Sequence, residues 1–319
     1  MSASYKWFVL FWKTFNKSRK GQNSQMKIVF LNGGLANQVF QYIFFRCGQM
    51  RHPEEKWILD DSFFYVHEIH NGYELKKVFA VSDDNLLSSF FDADVWQYMI
   101  EQKRHGKSIP QIMKESGTEI AMFAEYDNYQ QWNPFDGKVI RVDPERFLPE
   151  IMDMPMDIYY HGYWILNNWF RQHEEVFRKE LSFGQISDAQ NKKYEEMIAD
   201  TESTSVHIRR GDYVTGGIAF EASSYHEMIS KMIEVVPDMT LYVFSDEPEW
   251  CYEHAEEYGL KLPEKTVYIT GNQNENAFRD LQLMSMCKNM LMSNSAFCYL
   301  AALLNQNIQH VINPTSRKL

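Results

Sequence analysis

Apolar and polar positions alternate along the chain in a way that predicts short buried strands separated by amphipathic helices. Residues 27–31 form a largely apolar run that ends at a glycine turn, and apolar side chains then recur at helical spacing over residues 39–50. A further strand is predicted over residues 56–59. Strand, glycine turn and helix in this order are typical of the opening of a βαβ unit.

The second half of the chain repeats this alternation more regularly, after a predicted polar loop at residues 201–204. Strands are predicted over residues 205–208, 240–244, 267–269, 290–292 and 311–312. Helices are predicted over residues 189–199, 225–235, 276–287 and 296–304. Strands that alternate with helices imply a parallel sheet with helices on both faces.

Residues 62–165 are less regular, because aromatic side chains and prolines are scattered through them without a clear period. A strand over residues 158–164 and a helix over residues 168–180 are predicted at the end of this part. The predicted organisation is a leader over residues 1–25, a first domain over residues 26–185 and a second domain over residues 186–319.

The composition of the chain favours a small anionic ligand over a nucleic acid. The formal net charge of the 319 residues is −11, which argues against a nucleic-acid-binding surface, because such a surface needs a basic face. A local basic site in an acidic protein suits a small anionic ligand better. The four cysteines show neither zinc spacing nor a Cys-x-x-Cys pair, which fits a reduced cytoplasmic compartment.

The predicted leader combines aromatic bulk with lysine and arginine over residues 5–20, the composition of an interfacial anchor. Its apolar run is far shorter than the ~20 residues that a membrane-spanning helix needs. We therefore expect a cytoplasmic protein with peripheral membrane contact through these residues. The alternative is a disordered leader without that role.

The residues that best indicate chemistry follow the strand predicted over residues 205–208. They are Arg209, Arg210, Gly211 and Asp212. The carboxyl edge of an open α/β sheet binds ligands, and adjacent guanidiniums are costly to desolvate unless an anion is near. The planar fork of arginine also matches phosphate oxygens. The alternative is a strand that ends in a solvated charged turn.

Two further strand ends carry polar side chains that can converge on the same edge. Asp246 follows residues 240–244, and Ser293 and Ser295 follow residues 290–292. A carboxylate there can accept hydrogen bonds from a base or a ribose, and a serine beside helix amides can bind a phosphate. Each of these residues can equally serve as a helix cap, a role compatible with phosphate binding at the serines.

Four segments of the chain resemble the motifs of one family and occur in the order of that family. They are residues 32–42, which contain Gly-Gly-Leu-Ala-Asn-Gln, residues 207–213, which read His-Ile-Arg-Arg-Gly-Asp-Tyr, residues 244–251 and residues 280–297. On these motifs the chain resembles the bacterial α-1,2-fucosyltransferases, glycosyltransferase family eleven. Ala36 departs from the family pattern, which usually has glycine there.

This resemblance implies an α/β fold of the GT-B type, in which two Rossmann-like domains face each other across a cleft. It implies inverting transfer of L-fucose from GDP-β-L-fucose to a galactoside hydroxyl of a glycan acceptor, without a metal or another cofactor. The product would be an α-1,2 linkage on a bacterial surface polysaccharide.

The resemblance also implies roles for individual residues. His207 and Asp246 would lie beside the guanosine, and Arg209 would grip the diphosphate. Asn37 would reach the phosphates from the first domain. The expected donor-binding set is Asn37, His207, Arg209, Arg210, Asp246, Ser293 and Ser295.

Arg209 and Asp212 are the expected catalytic residues. A transferase without a metal must stabilise the departing diphosphate with fixed cations and dipoles, which Arg209 can supply. Inversion needs an acceptor for the hydroxyl proton on the opposite face of the sugar. Asp212 is the first candidate for that base, and holding an arginine is an equally good interpretation of it.

Three alternatives stay open at this point. Asp92-Ala93-Asp94 matches the Asp-x-Asp metal motif of the other glycosyltransferase architecture, although it stands among aromatic residues and not at a predicted strand end. The chain could also use another sugar nucleotide on the same architecture. A non-catalytic carbohydrate-binding protein would explain the aromatic first half but not the adjacent arginines.

Overall fold

The computed structural model describes residues 25–262 and 264–315, which form two compact units. The first unit extends to Glu180 and the second begins at Leu181, slightly before the boundary predicted between residues 185 and 186. The predicted leader, and with it the membrane contact expected of residues 5–20, lies outside the described residues apart from Gln25. Within the described part of the chain, every helix is too short or too polar to cross a bilayer.

The first unit contains a sheet of five described strands. The strands β1–β5 are Met26–Phe30, Lys56–Asp60, Ile120–Ala124, Lys138–Arg141 and Asp157–His161. The α-helices α1–α7 are Leu35–Arg51, Leu75–Phe79, Ala93–Arg104, Ile109–Glu115, Tyr129–Trp132, Asn167–Arg171 and Glu174–Glu180. Short 3-10 helices occur at Ser62–Tyr65, Leu87–Phe90 and Pro149–Met152.

All pairings in this sheet are parallel, in the order β2-β1-β5-β3-β4. The last strand, β5, is inserted between β1 and β3, so the residues that follow it lie in the middle of the carboxyl edge. The sequence predicted neither β3 nor β4. The first is a buried run too short to be told from a helix by its period, and the second is a partly exposed edge strand.

The second unit also contains five described strands. The strands β6–β10 are Ser203–Ile208, Thr240–Ser245, Thr266–Tyr268, Asn289–Leu291 and His310–Ile312. The α-helices α8–α13 are Ala189–Asp200, Gly211–Thr215, Ala222–Val235, Pro248–Glu253, Phe278–Met284 and Ala296–Leu304, with a 3-10 helix at Asn274–Asn276.

The second sheet is parallel throughout, in the order β10-β9-β6-β7-β8. This is the strand order of the Rossmann fold. In that fold the strands are added outward on one side of the first strand, and the fourth strand then starts the other side, so the strand order reverses between the first and fourth strands. The switch point therefore lies between β6 and β9. Two parallel α/β units confirm the predicted fold class of the GT-B type with two Rossmann-like domains.

One predicted loop is wrong. Ser203 and Thr204, expected in a polar loop, are the first two residues of β6 and are fully buried. Both residues pair with β7, and Thr204 also pairs with β9, while the Ser203 hydroxyl accepts a hydrogen bond from the Lys288 amide at 3.1 Å. Neighbouring strands thus pair the backbone of both residues, whereas the Thr204 hydroxyl is buried without a hydrogen-bond partner among the described residues.

Several helix ends also differ from the prediction. The first helix begins at Leu35 instead of residue 39, and the helix predicted over residues 168–180 is broken into α6 and α7. The helix predicted over residues 276–287 is α-helical only over Phe278–Met284. Apolar periodicity locates these helices but not their ends.

Trp164 adopts a left-handed backbone conformation just after β5, with φ of 57°. The amides of Tyr163 and Trp164 both donate to Glu125 Oε2, at 2.7 and 2.8 Å. The indole stacks on Phe44 with ring centroids 4.1 Å apart. Such a conformation costs on the order of 1–3 kcal/mol, which the charged hydrogen bonds and the buried ring offset.

All four cysteines are buried and outside any disulfide: Cys47, Cys251, Cys287 and Cys298. Burial raises the pKa of Cys47 to about 12 and the pKa of Cys251 to about 11. Because the thiolate is the reactive form, these thiols are chemically quiet parts of the core.

The contact between α1 and β2 gives a test of the packing. A Cβ atom on Gly48 would lie 2.2 Å from Cη2 of the buried Trp57 ring. Gly48→Ala is therefore expected to destabilise the protein by about 1–3 kcal/mol through overpacking. Gly184→Ala is the matched control, because no atom lies within 4 Å of its added methyl group. Urea unfolding of both variants measures the difference, and equal midpoints would contradict the packing described.

Candidate functional site

The turn after β6 is organised by one carboxylate from the neighbouring strand. Asp246 directly follows β7 and accepts a hydrogen bond from the Arg210 amide through Oδ1, at 2.9 Å. Its Oδ2 lies 3.2 Å from Nη1 of Arg209. Gly211 permits this approach, because a Cβ atom there would lie 2.8 Å from Asp246 Oδ2. One side chain thus fixes both the backbone of the turn and the first guanidinium.

Arg209 is held between two carboxylates. Its Nε and Nη2 lie 3.0 and 2.7 Å from Asp212 Oδ1, while Nη1 contacts Asp246. The Asp212 side chain is 61% exposed and that of Asp246 is 23% exposed. Exposed ion pairs contribute little free energy, so Asp212 is the more easily replaced partner. Each terminal nitrogen of a guanidinium carries two N–H donors, so the described contacts leave one on each for an anion.

Arg210 supports the same turn from its other side. Its Nε donates to Glu247 Oε2 at 2.9 Å, and its guanidinium carbon lies 3.1 Å from the centre of the Trp250 ring. Trp250 in turn stacks on His254, with ring centroids 3.8 Å apart. Arg210 is the less exposed of the two arginines and contacts protein groups, so its geometry is that of a support.

His207 connects the two strands that flank the switch point. Its Nδ1 lies 2.9 Å from the Ser293 hydroxyl, and its ring stacks on Phe297 with centroids 5.7 Å apart. Burial, together with the nearby charge of Arg209, lowers the pKa of His207 to about 3. The imidazole is therefore neutral near pH 7, and the Ser293 contact leaves Nε2 for a ligand among the described partners.

Ser295 lies at the start of α13. Its hydroxyl accepts a hydrogen bond from the Phe297 amide at 3.2 Å, so the predicted capping role is observed. The Tyr213 ring centre lies 5.8 Å from the Arg209 guanidinium carbon. Tyr213 therefore packs beside the arginine turn.

All of the predicted donor-binding residues except Asn37 lie at this edge of the second unit. Asn37 belongs to α1 of the first unit. Gly33 is left-handed there, with φ of 73°, and a Cβ atom on it would lie 2.6 Å from Asn37 Nδ2. The Asn37 amide therefore folds back over the glycine turn. Ala36 is an ordinary helical residue of α1, so its departure from the family pattern leaves the helix start intact.

Two residues beside the arginines were missed by sequence reasoning. Glu247 and Trp250 hold Arg210, and both stand inside the segment 244–251 that carries the resemblance. A carboxylate and an aromatic ring shortly after Asp246 were the available signal, but helix capping and core packing explained them equally well.

A third missed residue is Asp280, in the first turn of α12. Its Oδ1 accepts a hydrogen bond from Asn272 Nδ2 at 2.8 Å, and Asn272 exchanges two amide hydrogen bonds with Asn191, also at 2.8 Å. Burial raises the pKa of Asp280 to about 7. Strongly shifted pKa values are enriched at functional sites, so this carboxyl group belongs among the candidates.

The alternative metal motif does not form a metal-binding cluster. Asp92 and Asp94 are exposed, at the N-cap and in the first turn of α3. Across residues 25–262 and 264–315, no group of histidine, cysteine and carboxylate side chains is arranged to hold a metal ion. The predicted independence from metal stays a prediction.

Comparison with known proteins gives the family. The model of the family described as glycosyl transferase family 11 matches residues 144–317, more than half of the chain. An alpha-1,2-colitosyltransferase of Escherichia coli is 31% identical over 184 residues, which span 55% of this chain and 61% of that protein. The O-antigen biosynthesis glycosyltransferase WbnK of Escherichia coli is 25% identical over 293 residues, spanning 86% of this chain and 89% of WbnK.

Solved structures show weaker similarity. The fucosyltransferase NodZ from Bradyrhizobium is 12% identical, with 88% of this chain and 93% of that chain covered and a TM-score of 0.48. A complex of POFUT1 with GDP-fucose is 11% identical, with 91% and 97% covered and a TM-score of 0.47. Similarity this low indicates nothing about the substrate.

The raised pKa of Asp280 predicts a pH-dependent stability. Between about pH 4 and pH 7 the folded protein holds a proton that the unfolded chain has lost, so stability falls as the pH rises. Asp280→Asn keeps the acceptor for Asn272 and removes this titration. The variant should gain roughly 1–3 kcal/mol over the parent between pH 5 and pH 8. Asp238→Asn, at a side chain that is 92% exposed, is the control. Parallel pH profiles for all three proteins would refute the buried titration.

Proposed function

The chain belongs to glycosyl transferase family 11 and is a glycosyltransferase, and we propose that it transfers L-fucose from GDP-β-L-fucose to a galactoside hydroxyl. The proposed reaction inverts the anomeric carbon, forms an α-1,2 linkage on a bacterial surface glycan and needs no metal ion. The observation that carries the proposal is the Arg209 guanidinium, fixed at the switch point of a Rossmann-ordered sheet.

The donor diphosphate is assigned to Arg209 and the start of α13. Arg209 keeps its contact with the less exposed Asp246, while a phosphate oxygen competes with Asp212 for the exposed face of the guanidinium. Tyr213 packs beside this arginine, and the backbone amides at the start of α13, next to Ser295, favour an anion. These contacts support a site for two linked phosphates along one edge of the sheet.

The nucleoside is assigned to the side of His207, whose neutral imidazole offers Nε2 to a hydrogen-bonding base. Asp246 already has two partners within the turn, so we assign it to positioning Arg209. Its contact with guanosine, implied by the resemblance, stays a prediction.

In the proposed reaction, the acceptor hydroxyl oxygen attacks the anomeric carbon on the face opposite the diphosphate. The bond between that carbon and the diphosphate oxygen breaks, and GDP leaves with the electron pair while the hydroxyl proton passes to a base or to water. Arg209 and the amides of α13 stabilise the charge that develops on the leaving group. Both described side-chain contacts of Asp212 go to Arg209, so we assign it to holding this arginine.

A second candidate donor carries colitose, which is L-fucose without its 3-hydroxyl. The relative that is 31% identical is named for transfer of this sugar. A site that hydrogen-bonds the 3-hydroxyl would reject the deoxy sugar strongly, whereas a site that leaves this hydroxyl free would use both sugars.

The interpretation as a non-catalytic carbohydrate-binding protein loses its basis, because the chain is a member of a transferase family.

A donor panel in the presence of EDTA tests the proposed function. GDP and GDP-fucose should each raise the melting temperature, and mass spectrometry should detect fucosylated lactose with chelator present. GDP-colitose, GDP-mannose and UDP-galactose are the comparison donors. Preference for a UDP-sugar would overturn the donor assignment. Activity lost in EDTA and restored by manganese would overturn the metal-independent mechanism.

Arg209→Lys should lower turnover on GDP-fucose by roughly 100-fold or more, because an ammonium group cannot reproduce the planar fork. Arg210→Lys should have a smaller effect on turnover, since Arg210 contacts Glu247 and Trp250. Arg51→Lys, in an exposed ion pair with Asp153, is the matched control and should behave as the parent protein. Steady-state kinetics and a melting curve for each variant separate lost chemistry from lost folding. A folded Arg209→Lys protein with near-normal turnover would remove Arg209 from the active site.

A further inference from the structure

Four polar side chains form one hydrogen-bonded chain at the carboxyl edge of the first unit's sheet. Lys103 Nζ lies 3.3 Å from Asn133 Oδ1, Asn133 Nδ2 lies 3.1 Å from His161 Nδ1, and His161 Nε2 lies 3.0 Å from Asn128 Oδ1. The first three side chains are buried, whereas Asn128 is half-buried in the loop after β3. This amide–histidine chain therefore runs from the core to the surface.

Lysine sets the direction of every hydrogen bond in the amide–histidine chain. An ammonium group can only donate, so Asn133 must accept with Oδ1 and turn its NH2 group to His161. His161 Nδ1 then accepts, Nε2 carries the proton, and Asn128 accepts this proton with Oδ1. The NH2 group of Asn128 is thereby turned away from the core, as a pair of oriented donors.

The charge state of the histidine agrees with this direction. Burial, together with the charge of Lys103, lowers the pKa of His161 to about 3, so the ring is neutral and has one donor and one acceptor nitrogen. Burial also lowers the pKa of Lys103, while Asp60 and Asp61 favour its charged form. Asp60 is the last residue of β2 and Asp61 follows it, at the same edge of the sheet.

The amide–histidine chain costs the folded state free energy. The Lys103 side chain is only 6% exposed, and its described contacts are the 3.3 Å hydrogen bond to Asn133 and the Phe30 ring, whose centre lies 5.1 Å from Nζ. Burial of an ammonium costs free energy, against which these contacts and the nearby Asp60 and Asp61 act. Asn128 occupies the N-cap position of α5 but makes no side-chain cap, although asparagine is among the best capping residues. The Asn128 side chain thus contacts His161 and does not cap α5.

Several aromatic residues stand near Asn128 in the chain or at the same edge of the sheet. Tyr129 and Trp132 lie on α5 directly after Asn128, and the Tyr129 ring centre is 6.4 Å from that of His161. Tyr126 and Tyr163, at the ends of β3 and β5, have ring centres 5.6 Å apart. Apolar aromatic surface with a few oriented hydrogen-bonding groups suits a neutral polar ligand with apolar faces, such as a sugar ring.

We propose that Asn128 is an acceptor-recognition residue, whose NH2 group donates to an oxygen of the acceptor saccharide while the neighbouring aromatic rings contact its apolar face. The inference rests on the proposed function, since it assigns the sugar that receives the transferred group. The position agrees with it, because ligands of open α/β sheets bind at the carboxyl ends of the strands. His161, Asn133 and Lys103 act through Asn128 and are positioning residues.

Two variants of Asn128 distinguish a role in binding the acceptor from a structural role as the partner of His161. Asn128→Ala removes both the inward acceptor and the outward donors. Asn128→Asp keeps an oxygen for His161 and loses the donors, so it rescues a structural role but not recognition of the acceptor. Gln131→Ala, at an exposed position of the same helix, is the matched control. The probe is methyl β-D-galactoside, whose binding is followed by saturation-transfer NMR in the presence of GDP, with lactose as substrate in the kinetics.

Loss of a hydrogen bond to the acceptor should raise the KM for lactose about 3–10-fold in Asn128→Ala and at least as much in Asn128→Asp. The KM for GDP-fucose and the melting temperature should stay unchanged, and the NMR signal of the galactoside should weaken in both variants. Asn128→Asp with parental galactoside binding would overturn the inference, as would a parent protein that does not bind the galactoside. A parent protein that binds the galactoside through Asn128 but transfers nothing would instead refute the proposed function.

Discussion

The two carboxylate oxygens of Asp246 contact different groups, and the geometry of the second unit's site depends on both contacts. One oxygen accepts the amide of Arg210, whose backbone leaves the sheet in an irregular conformation with φ of −117° and ψ of −84°. The other oxygen fixes Arg209. Parallel strands make this arrangement available, because the chain leaves β6 and β7 at the same edge. Without that carboxylate the turn would lose the partner of a backbone donor and one side of a guanidinium together.

The sequence allowed the second unit to be predicted better than the first, for a physical reason. In the second unit β7 is a buried apolar run, and α10 buries Tyr225, Met228, Ile229 and Met232 at helical spacing, so both stand out in the sequence. In the first unit β3 is five residues long and β4 is half-exposed, and neither produces a period that rises above the aromatic background. The order of strands in each sheet follows from tertiary packing, which local periodicity does not record.

In the candidate site, too, residues within one short segment could be predicted from the sequence, whereas contacts between distant residues could not. The arginines and their neighbouring aspartate could be recognised from one short segment. The contacts of Asp246 with them could not be predicted, although the residue was placed at the same edge, because it lies 36 positions from Arg210 and reaches it only in the folded sheet. His161 and Asn128 are likewise separated by 33 positions. Residue type indicates which groups can hydrogen-bond, while the fold decides which of them meet.

The burial of all four cysteines has a practical consequence for spectroscopy. Thiol reagents attack the thiolate, and burial raises the pKa of Cys47, Cys251 and Cys287, while all four side chains lie in the core away from a reagent. One cysteine introduced at an exposed position would therefore be the preferred site for a maleimide dye or a spin label, without prior removal of native thiols. The wild-type core can thus remain intact while a single reporter group is attached to either unit.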